Sequence, residues 1–145
     1  MRGIRGAITV GENKKEEIWQ AARILVAQIL RRNRVKTEDI GAAIFSATED
    51  LTAAFPSTGA RCLPGFDAVP LFDARQCAID GSMDHCIRVL LLVDTTRKQS
   101  EIQHVYMGRG QALRPDLRSF RQSLFMAEGK QKRDSNPFLN KHKRD

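Results

Sequence analysis

The segment 84–94, DHCIRVLLLVD, constrains the fold more than any other part of this sequence. Read as a strand, it is apolar on both faces except at one position. Its two faces are Ile87, Val89, Leu91 and Val93, and Cys86, Arg88, Leu90 and Leu92. A guanidinium does not lose its proton in a protein, so a buried one needs an anion. The segment therefore predicts a central strand whose Arg88 meets a carboxylate, either of this chain or of a ligand.

The composition favours one globular domain. The chain has 145 residues, of which 41% are hydrophobic, enough for an ordinary core. Arg2 and Arg5 interrupt the first ten residues, and the longest aliphatic run, VLLLV, is too short to span a bilayer. These features predict a soluble, cytoplasmic protein that does not enter a membrane.

The positive charge is concentrated at the C-terminus. Of the formal net charge of +7, residues 118–145 hold +5, with eight Lys or Arg and three Asp or Glu. A nucleic-acid interface would instead place basic residues on a folded face, interleaved with aromatic residues. We therefore expect a domain at 1–117 followed by a basic, flexible tail at 118–145, and nucleic-acid binding is not favoured.

The hydrophobic periodicity predicts an α+β fold with one long helix. Predicted strands cover residues 2–10, 40–48, 66–72, 85–93 and 102–108, and Pro70 places the third at a sheet edge or a strand end. The helix is expected to begin after an Asn13 cap, run to Arg32 and end with Asn33 as its C′ residue. This gives a five-stranded mixed sheet packed by one long helix and short helical turns. Since one helix cannot cover both faces of such a sheet, the uncovered face predicts self-association.

The chemistry-bearing residues exclude several classes of site. No G-x-S-x-G motif is present, and His85, His104 and His142 are too scattered for a metal site. The three cysteines, Cys62, Cys77 and Cys86, form no C-x-x-C pair and predict reduced, partly buried thiols. The residue pattern therefore does not favour a metal site.

Basic side chains at predicted strands and strand ends are the remaining candidates. They are Arg5, Arg61, Arg88 and Arg114, with Tyr106 as a neutral donor. Internal salt bridges are one explanation, and the available aspartates are Asp67, Asp73, Asp84 and Asp94. The other is a pocket for a small anion with more than one carboxylate, because the planar arginine fork binds carboxylate through two hydrogen bonds. The residues alone leave both explanations open.

Six segments, in order, carry a resemblance to a known family. They are MRGIRGAITV, SATEDLTAAFP, VPLFDARQ, CIRVLLLV, HVYMGRGQ and ALRPDL. Together they resemble the monofunctional chorismate mutases of the trimeric pseudo-α/β-barrel class, over residues 1–117. The resemblance implies an isomerase that converts chorismate to prephenate, on the route to phenylalanine and tyrosine, without a cofactor, metal or covalent intermediate. It also implies a homotrimer with its active sites between adjacent subunits.

The resemblance also implies a role for individual residues. Arg88 matches the arginine at the ether oxygen of the breaking C–O bond, and Arg5 and Tyr106 match groups that hold the enolpyruvyl carboxylate. The remaining matches form the wall, the mouth and the cover of the site. They are Phe55 and Leu71 in the wall, Arg61 at the mouth, and Leu113 and Arg114 in the C-terminal segment that folds over the site.

Three positions depart from the family pattern. Gln76 replaces a usual glutamate and Asp73 a frequent cysteine, both near the substrate hydroxyl, and Thr58 replaces a basic residue at the mouth. Gln76 can still hydrogen-bond a hydroxyl, and Asp73 restores a carboxylate nearby. The alternatives to the enzyme are a non-catalytic trimer that binds a small carboxylate and a nucleic-acid-binding module built on the basic tail.

Overall fold

A computed structural model describes residues 1–112 of the chain and shows an α+β fold. The strands are β1 (Arg2–Thr9), β2 (Ile40–Ala47), β3 (Leu71–Arg75), β4 (Cys86–Val93) and β5 (Val105–Tyr106). They form one mixed sheet in the order β3-β2-β4-β1-β5. The helices are α1 (Lys15–Asn33) and the short α2 (Pro56–Arg61), and single 3-10 turns connect other elements. The predicted class, a five-stranded mixed sheet with one long helix, is confirmed.

The predicted central strand is β4. It lies third of five and pairs antiparallel with both β1 and β2. Its odd-numbered face is buried in the main core, where Ile87 and Leu91 are fully inaccessible to solvent. On the other face Arg88, Leu90 and Leu92 are half-buried. The two faces of β4 therefore differ in burial, and Arg88 lies on the less buried one.

Helix α1 covers the odd-numbered face of β4. Its buried residues are Ile18, Ala21, Ala22, Leu25, Val26, Ile29 and Asn33. Except for the additional Val26 and Asn33, these are the positions at which helical spacing predicted burial. The apolar stripe places the helix on one side of the sheet, with α2 packed against it.

Both ends of α1 differ from the prediction. Asn13 does not cap the helix, because its Oδ1 accepts the N–H groups of Thr52 and Ala53, each at 3.0 Å. Asn33 stays in the helix, and its buried side chain bonds both backbone groups of Gln103 at 2.8 Å. Arg34 takes the left-handed conformation instead, at φ 50°. In both cases a distant loop uses the asparagine amide that the local pattern assigned to the helix end.

The third strand begins later than predicted. Phe66–Ala68 forms a 3-10 turn that buries the Phe66 ring fully, and β3 starts only at Leu71. Pro70 has no N–H to donate within a sheet, but its carbonyl accepts the N–H of Ala43 at 2.9 Å. This hydrogen bond lies at the start of the pairing between β2 and β3. The segment at Asp73–Arg75, predicted as loop, therefore belongs to the strand. Pro70 was correctly read as the mark of an edge strand.

The fifth strand is shorter than predicted. The backbone of Gln103 is occupied by the Asn33 side chain, and Gly108 starts a 3-10 turn. Only Val105 and Tyr106 remain to pair with β1.

The sheet face opposite α1 carries a mixed surface of apolar and basic residues. The register places Leu92 opposite Gly3 and Ala42, and Leu90 opposite Arg5 and Ile44. Phe72, paired with Ile44, continues this surface onto β3 and is 63% exposed. No described helix covers this face. Among residues 1–112, no helix has the length and apolar character needed to cross a membrane.

Gly59 sets the approach of α2 to α1. A Cβ at this position would lie 2.6 Å from the Cα of Trp19, a backbone atom that cannot turn aside. We expect Gly59→Ala to lower the free energy of unfolding by about 1–3 kcal/mol, because overpacking outweighs the better helix propensity of alanine. Urea unfolding at fixed protein concentration measures this.

Gly11→Ala is the control for the glycine substitution. Its Cβ would meet only the Glu17 carboxylate, at 4.0 Å, so its stability should stay within about 0.5 kcal/mol of the original. If Gly59→Ala is as stable as Gly11→Ala, then α1 and α2 are not held in close backbone contact at residue 59.

Candidate functional site

The uncovered sheet face contains a pocket of about 530 Å³, here called the arginine pocket. Arg88 lies opposite Ala7 on β1 and Ser46 on β2, and Ala7 in turn lies opposite Tyr106 on β5. Arg5 sits one diagonal position away, opposite Leu90. Small residues between the larger ones form the floor, so Arg5, Arg88 and Tyr106 line one concave site.

Arg88 has no anion among the described residues. Its Nε is buried without a hydrogen-bond partner, as is the hydroxyl of Tyr106. Two of the aspartates proposed as internal partners are engaged elsewhere: Asp84 pairs with Arg109 at 2.8 Å, and Asp73 accepts from Ser57. The Arg88 Nε and the Tyr106 hydroxyl thus converge on the arginine pocket as buried groups without a bonding partner among the described residues.

Cys86 lies beside this pair of groups. Its side chain is buried with Ala7 and Tyr106 in a small cluster separate from the main core. Burial raises the pKa of the Cys86 thiol, although a hydrogen bond from the Arg88 side chain and the nearby Arg88 and Arg109 charges oppose the rise. The thiol therefore stays neutral at pH 7 and supplies no negative charge to Arg88. The other cysteines, Cys62 and Cys77, are free but exposed, whereas partly buried thiols were predicted.

A second pocket, of about 510 Å³, lies at the opposite edge of the sheet, between α2 and β3, and is here called the edge pocket. Phe55 and Asp73 both line it. Phe55 is 69% exposed, the highest value for an aromatic ring among residues 1–112. Asp73 pairs with Phe45, on the helix-covered side of the sheet, so its carboxylate faces α2 rather than the arginine pocket.

Asp73 is held by a single residue of α2. The Ser57 N–H donates to Asp73 Oδ1 at 3.2 Å, and the Ser57 hydroxyl donates to Asp73 Oδ2. Ser57 is only 4% exposed. Together these bonds tie the first turn of α2 to the edge strand β3.

Gln76 lies beyond the end of β3, in a third, smaller pocket of about 200 Å³. Its backbone N–H donates to the Ala47 carbonyl at 3.1 Å, and its Oε1 is buried with no partner among the described residues. Gln76 and Asp73 line different pockets, so one chain alone does not bring the two side chains together at one hydroxyl.

The other predicted site residues are distributed as follows. Arg61 ends α2 and is exposed, Thr58 lies in the same helix, and Leu71 opens β3 and packs against the main core. Leu113 and Arg114 lie outside the described residues, as do the predicted domain boundary after Leu117 and the basic tail. One chain thus brings together Arg5, Arg88 and Tyr106, and separately Phe55 and Asp73.

The start of β4 is fixed by a polar network at Asp50. Its carboxylate accepts the Thr48 hydroxyl and the His85 N–H, the latter at 3.0 Å, and His85 Nε2 lies 3.7 Å away. His85 has a φ of 46°, which is unusual for a residue with a side chain. Thr48 Oγ1 also accepts the Cys86 N–H at 3.0 Å, so the network sets where β4 begins. Burial raises the pKa of the Asp50 carboxyl, but the bonds from Thr48 and His85 and the His85 charge together hold it below its ordinary value of 3.8.

Sequence patterns alone do not identify Ser57 and Asp50 as residues that organise the site. Ser57 stands in a stretch of small polar residues typical of a loop, and the partner of its hydroxyl is 16 positions away. Asp50 follows Thr48 in a pattern common to turns. The turn pattern at Asp50 can be seen in the sequence. Its hydrogen bond from His85, 35 residues away, leaves no local signal.

Comparison with known proteins gives one consistent result. The family model for chorismate mutase type I matches residues 1–117. The chorismate mutase AroH of Thermus thermophilus is 47% identical over 120 residues, covering 82% of this chain and 98% of that protein. The chorismate mutase AroH of Bacillus subtilis (strain 168) is 41% identical over 117 residues, covering 81% and 92%. A solved chorismate mutase from Clostridium thermocellum superposes with a TM-score of 0.75 at 34% identity, covering 77% of this chain and 99% of that one.

The Asp50 network predicts a pH-dependent contribution to stability. Since the folded-state pKa of Asp50 is lowered, its contribution is fully present above the unfolded pKa of 3.8 and is lost as the pH falls through the folded value. Asp50→Asn should cost about 1 kcal/mol at pH 7, and the cost should shrink below about pH 4. Thermal unfolding from pH 7 to pH 3 at fixed protein concentration measures the difference.

The exposed Asp80 provides the control for this comparison. Asp80→Asn should differ little from the original at any of these pH values. A cost for Asp50→Asn that is the same at pH 7 and pH 3 would contradict the charged role of Asp50.

Proposed function

The chain belongs to the chorismate mutase type I family, and from this premise we propose that it converts chorismate to prephenate in sites completed between the subunits of a homotrimer. The prediction of a chorismate mutase is confirmed by the family match and by the two AroH relatives. The two alternatives, a non-catalytic carboxylate binder and a nucleic-acid-binding module, receive no support. The residues that act, the trimer and the cytoplasmic location are proposals.

The unpaired Arg88 carries the proposal for the site. A half-buried guanidinium without an internal anion fits a ligand that supplies one, and the Arg5 side chain and Tyr106 hydroxyl line the same pocket. Chorismate is a dianion, so it provides a carboxylate for Arg5 and Tyr106 and leaves its ether oxygen within reach of Arg88. A spectrophotometric assay of chorismate disappearance is the direct test of the activity.

The first task of the site is to restrict the substrate. The rearrangement is intramolecular, and it requires the enolpyruvyl side chain to lie over the ring in a compact conformation. Arg5 and Tyr106 are proposed to fix the carboxylate of that side chain, and Phe55 and Leu71 to form an apolar wall. The binding energy of these contacts would thus hold the reacting carbons in a near-attack conformer, which lowers the entropic part of the barrier.

The second task is to stabilise charge in the transition state. The C–O bond lengthens before the new C–C bond has formed, so negative charge grows on the ether oxygen. Arg88 is proposed to donate to this oxygen from a fixed position on the central strand. A preorganised donor of this kind is worth about 3–4 kcal/mol. Because the charge is larger in the transition state than in the substrate, the effect should appear in kcat.

The trimer is proposed because one chain presents only parts of this site. The arginine pocket lies in the middle of the uncovered face, whereas Phe55 and Asp73 line the edge pocket. Packing the uncovered face of one chain against the edge of the next would bury Phe72 and bring a partner's edge pocket to Arg88. Arg61 would then lie at the mouth, Leu113 and Arg114 would cover the site, and Gln76 and Asp73 would approach the ring hydroxyl.

We expect Arg88→Ala to lower kcat by a factor on the order of 10³ or more, since the charge on the ether oxygen then has no donor. Arg88→Lys should recover little, because the ammonium lacks the planar fork and its reach. Stability should change little in either variant, because no carboxylate among the described residues pairs with Arg88, and its hydrogen bond to the Cys86 sulfur is made to a weak acceptor. Steady-state kinetics and thermal unfolding on the same samples measure both quantities.

Arg23, exposed on α1, is the matched control for the loss of one positive charge. Arg23→Ala should retain normal kcat and stability. Normal turnover in Arg88→Ala together with a sharp fall in melting temperature would show that Arg88 serves an internal ion pair instead.

We expect the protein to be a trimer in solution at micromolar concentration, since its uncovered face carries half-buried Leu90 and Leu92 and exposed Phe72. Phe72→Asp should weaken the assembly and reduce activity together, because the site needs two subunits. Light scattering coupled to size-exclusion chromatography gives the mass. A fully active monomer would overturn the intersubunit site.

A further inference from the structure

Ser57 is a polar residue that is nearly inaccessible to solvent, as is Asn33. Asn33 has an evident structural use, because it joins the end of α1 to the backbone of Gln103. Ser57 bonds instead to a side chain, that of Asp73, which borders a pocket. A buried hydroxyl directed at a carboxylate beside a pocket suggests a role in orienting that carboxylate.

The geometry leaves the carboxylate little freedom. Ser57 donates its backbone N–H to Oδ1 at 3.2 Å and its hydroxyl to Oδ2, so each oxygen of Asp73 is held by the same residue. Two donors of one residue, one to each carboxylate oxygen, fix the plane of the carboxylate as well as its position. Ser57 itself is fixed, because it lies in the first turn of α2 and Gly59 of that helix contacts the backbone of Trp19.

Two bonds do not exhaust what the carboxylate can accept. An ionised carboxylate has about four lone-pair sites, so each oxygen retains one. Asp73 is half-buried and lines the edge pocket, which provides access to the carboxylate from the side away from Ser57. The bonds from Ser57 therefore determine the direction in which the remaining lone pairs can accept a donor.

We propose that Ser57 is a positioning residue that orients the Asp73 carboxylate toward the ring hydroxyl of the substrate. This rests on the proposed function, and it adds a specificity determinant that acts through Asp73 without touching the substrate. A hydroxyl of the bound substrate donates to the lone pair that Ser57 leaves free. Discrimination for that hydroxyl should then depend on Ser57, whereas binding of the two carboxylates should not.

The test compares chorismate with an analogue in which hydrogen replaces the ring hydroxyl. The measured quantity is the ratio of kcat/KM for the two compounds, which reports the hydroxyl contact alone. In the unaltered enzyme chorismate should be preferred, because a hydrogen bond to a charged group favours the donor by about tenfold or more. Ser57→Ala should lower this ratio about fivefold, and Asp73→Ala should lower it at least as far.

Further variants separate orientation from folding. In the double variant Ser57→Ala with Asp73→Ala, the ratio should match that of Asp73→Ala alone, since Ser57 acts only through that side chain. Ser57→Thr keeps both donors and should keep the ratio. Ser100→Ala, at an exposed and distant 3-10 turn, controls for serine removal and should leave both rates unchanged.

The outcomes distinguish this inference from the proposed function. If Ser57→Ala lowers kcat/KM equally for both compounds, or for neither, Ser57 does not orient Asp73 toward the hydroxyl and the inference is wrong. The chorismate mutase activity would stand in that case, because it is measured on the unaltered enzyme. If Ser57→Ala does not fold, an unchanged ratio in the folded Asp73→Asn and Asp73→Ala variants would overturn the inference equally.

Discussion

The guanidinium of Arg88 is the constraint on which the rest of this structure depends. It remains charged at every physiological pH, and it stands on the strand that makes the most contacts in the sheet. Within residues 1–112 its Nε is buried with no bonding partner. Leaving such a group unpaired costs free energy in the free protein, and an anion that binds there recovers it. The folded protein thus leaves the Arg88 Nε available for a hydrogen bond with a bound ligand.

The same constraint links the site to the assembly. Placing α1 and α2 on one side of the sheet buries the core but leaves the Arg88 face without a cover. Covering that face fully with a helix of the same chain would exclude substrate from the arginine pocket. Closure by neighbouring chains, as proposed, would bury Leu92 and Phe72 while preserving a cleft at the boundary. On that proposal, oligomerisation and substrate binding are two consequences of one uncovered sheet face.

Strong periodic patterns predicted the parts of the fold that depend on local sequence. The burial of Ile18, Leu25 and Ile29 follows from helical spacing alone, and the central position of β4 follows from its two apolar faces. The errors arose where a distant partner decides the outcome. Asn13 and Asn33 have good capping chemistry, yet their amides are taken by loops 39 and 70 residues away. Nothing in the local sequence signals such partners.

The candidate site shows the same division. The residue types left an anion pocket as one of two explanations, and the register brings Arg5, Arg88 and Tyr106 to one pocket. The roles proposed for Phe55, Leu71 and Arg61 come from the resemblance, because no charge pattern within the chain indicates the apolar wall or the mouth of a site. Ser57 was invisible, since a serine near a helix start is ordinary and only the fold brings it to Asp73.

The two proposed functional groups, Asp73 on the edge strand and Arg88 on the central strand, would contribute to the reaction in different ways. In the proposed site Asp73 meets a hydroxyl whose charge does not change as the bond breaks, so its contact would be equally strong in substrate and transition state. Such a contact improves binding and selectivity but not the chemical step. Arg88 would meet an oxygen whose charge grows, and its contact alone would gain strength along the reaction. On this proposal Ser57 can fix the Asp73 carboxylate before the substrate binds, whereas the buried Nε of Arg88 has to remain without a partner until the substrate arrives.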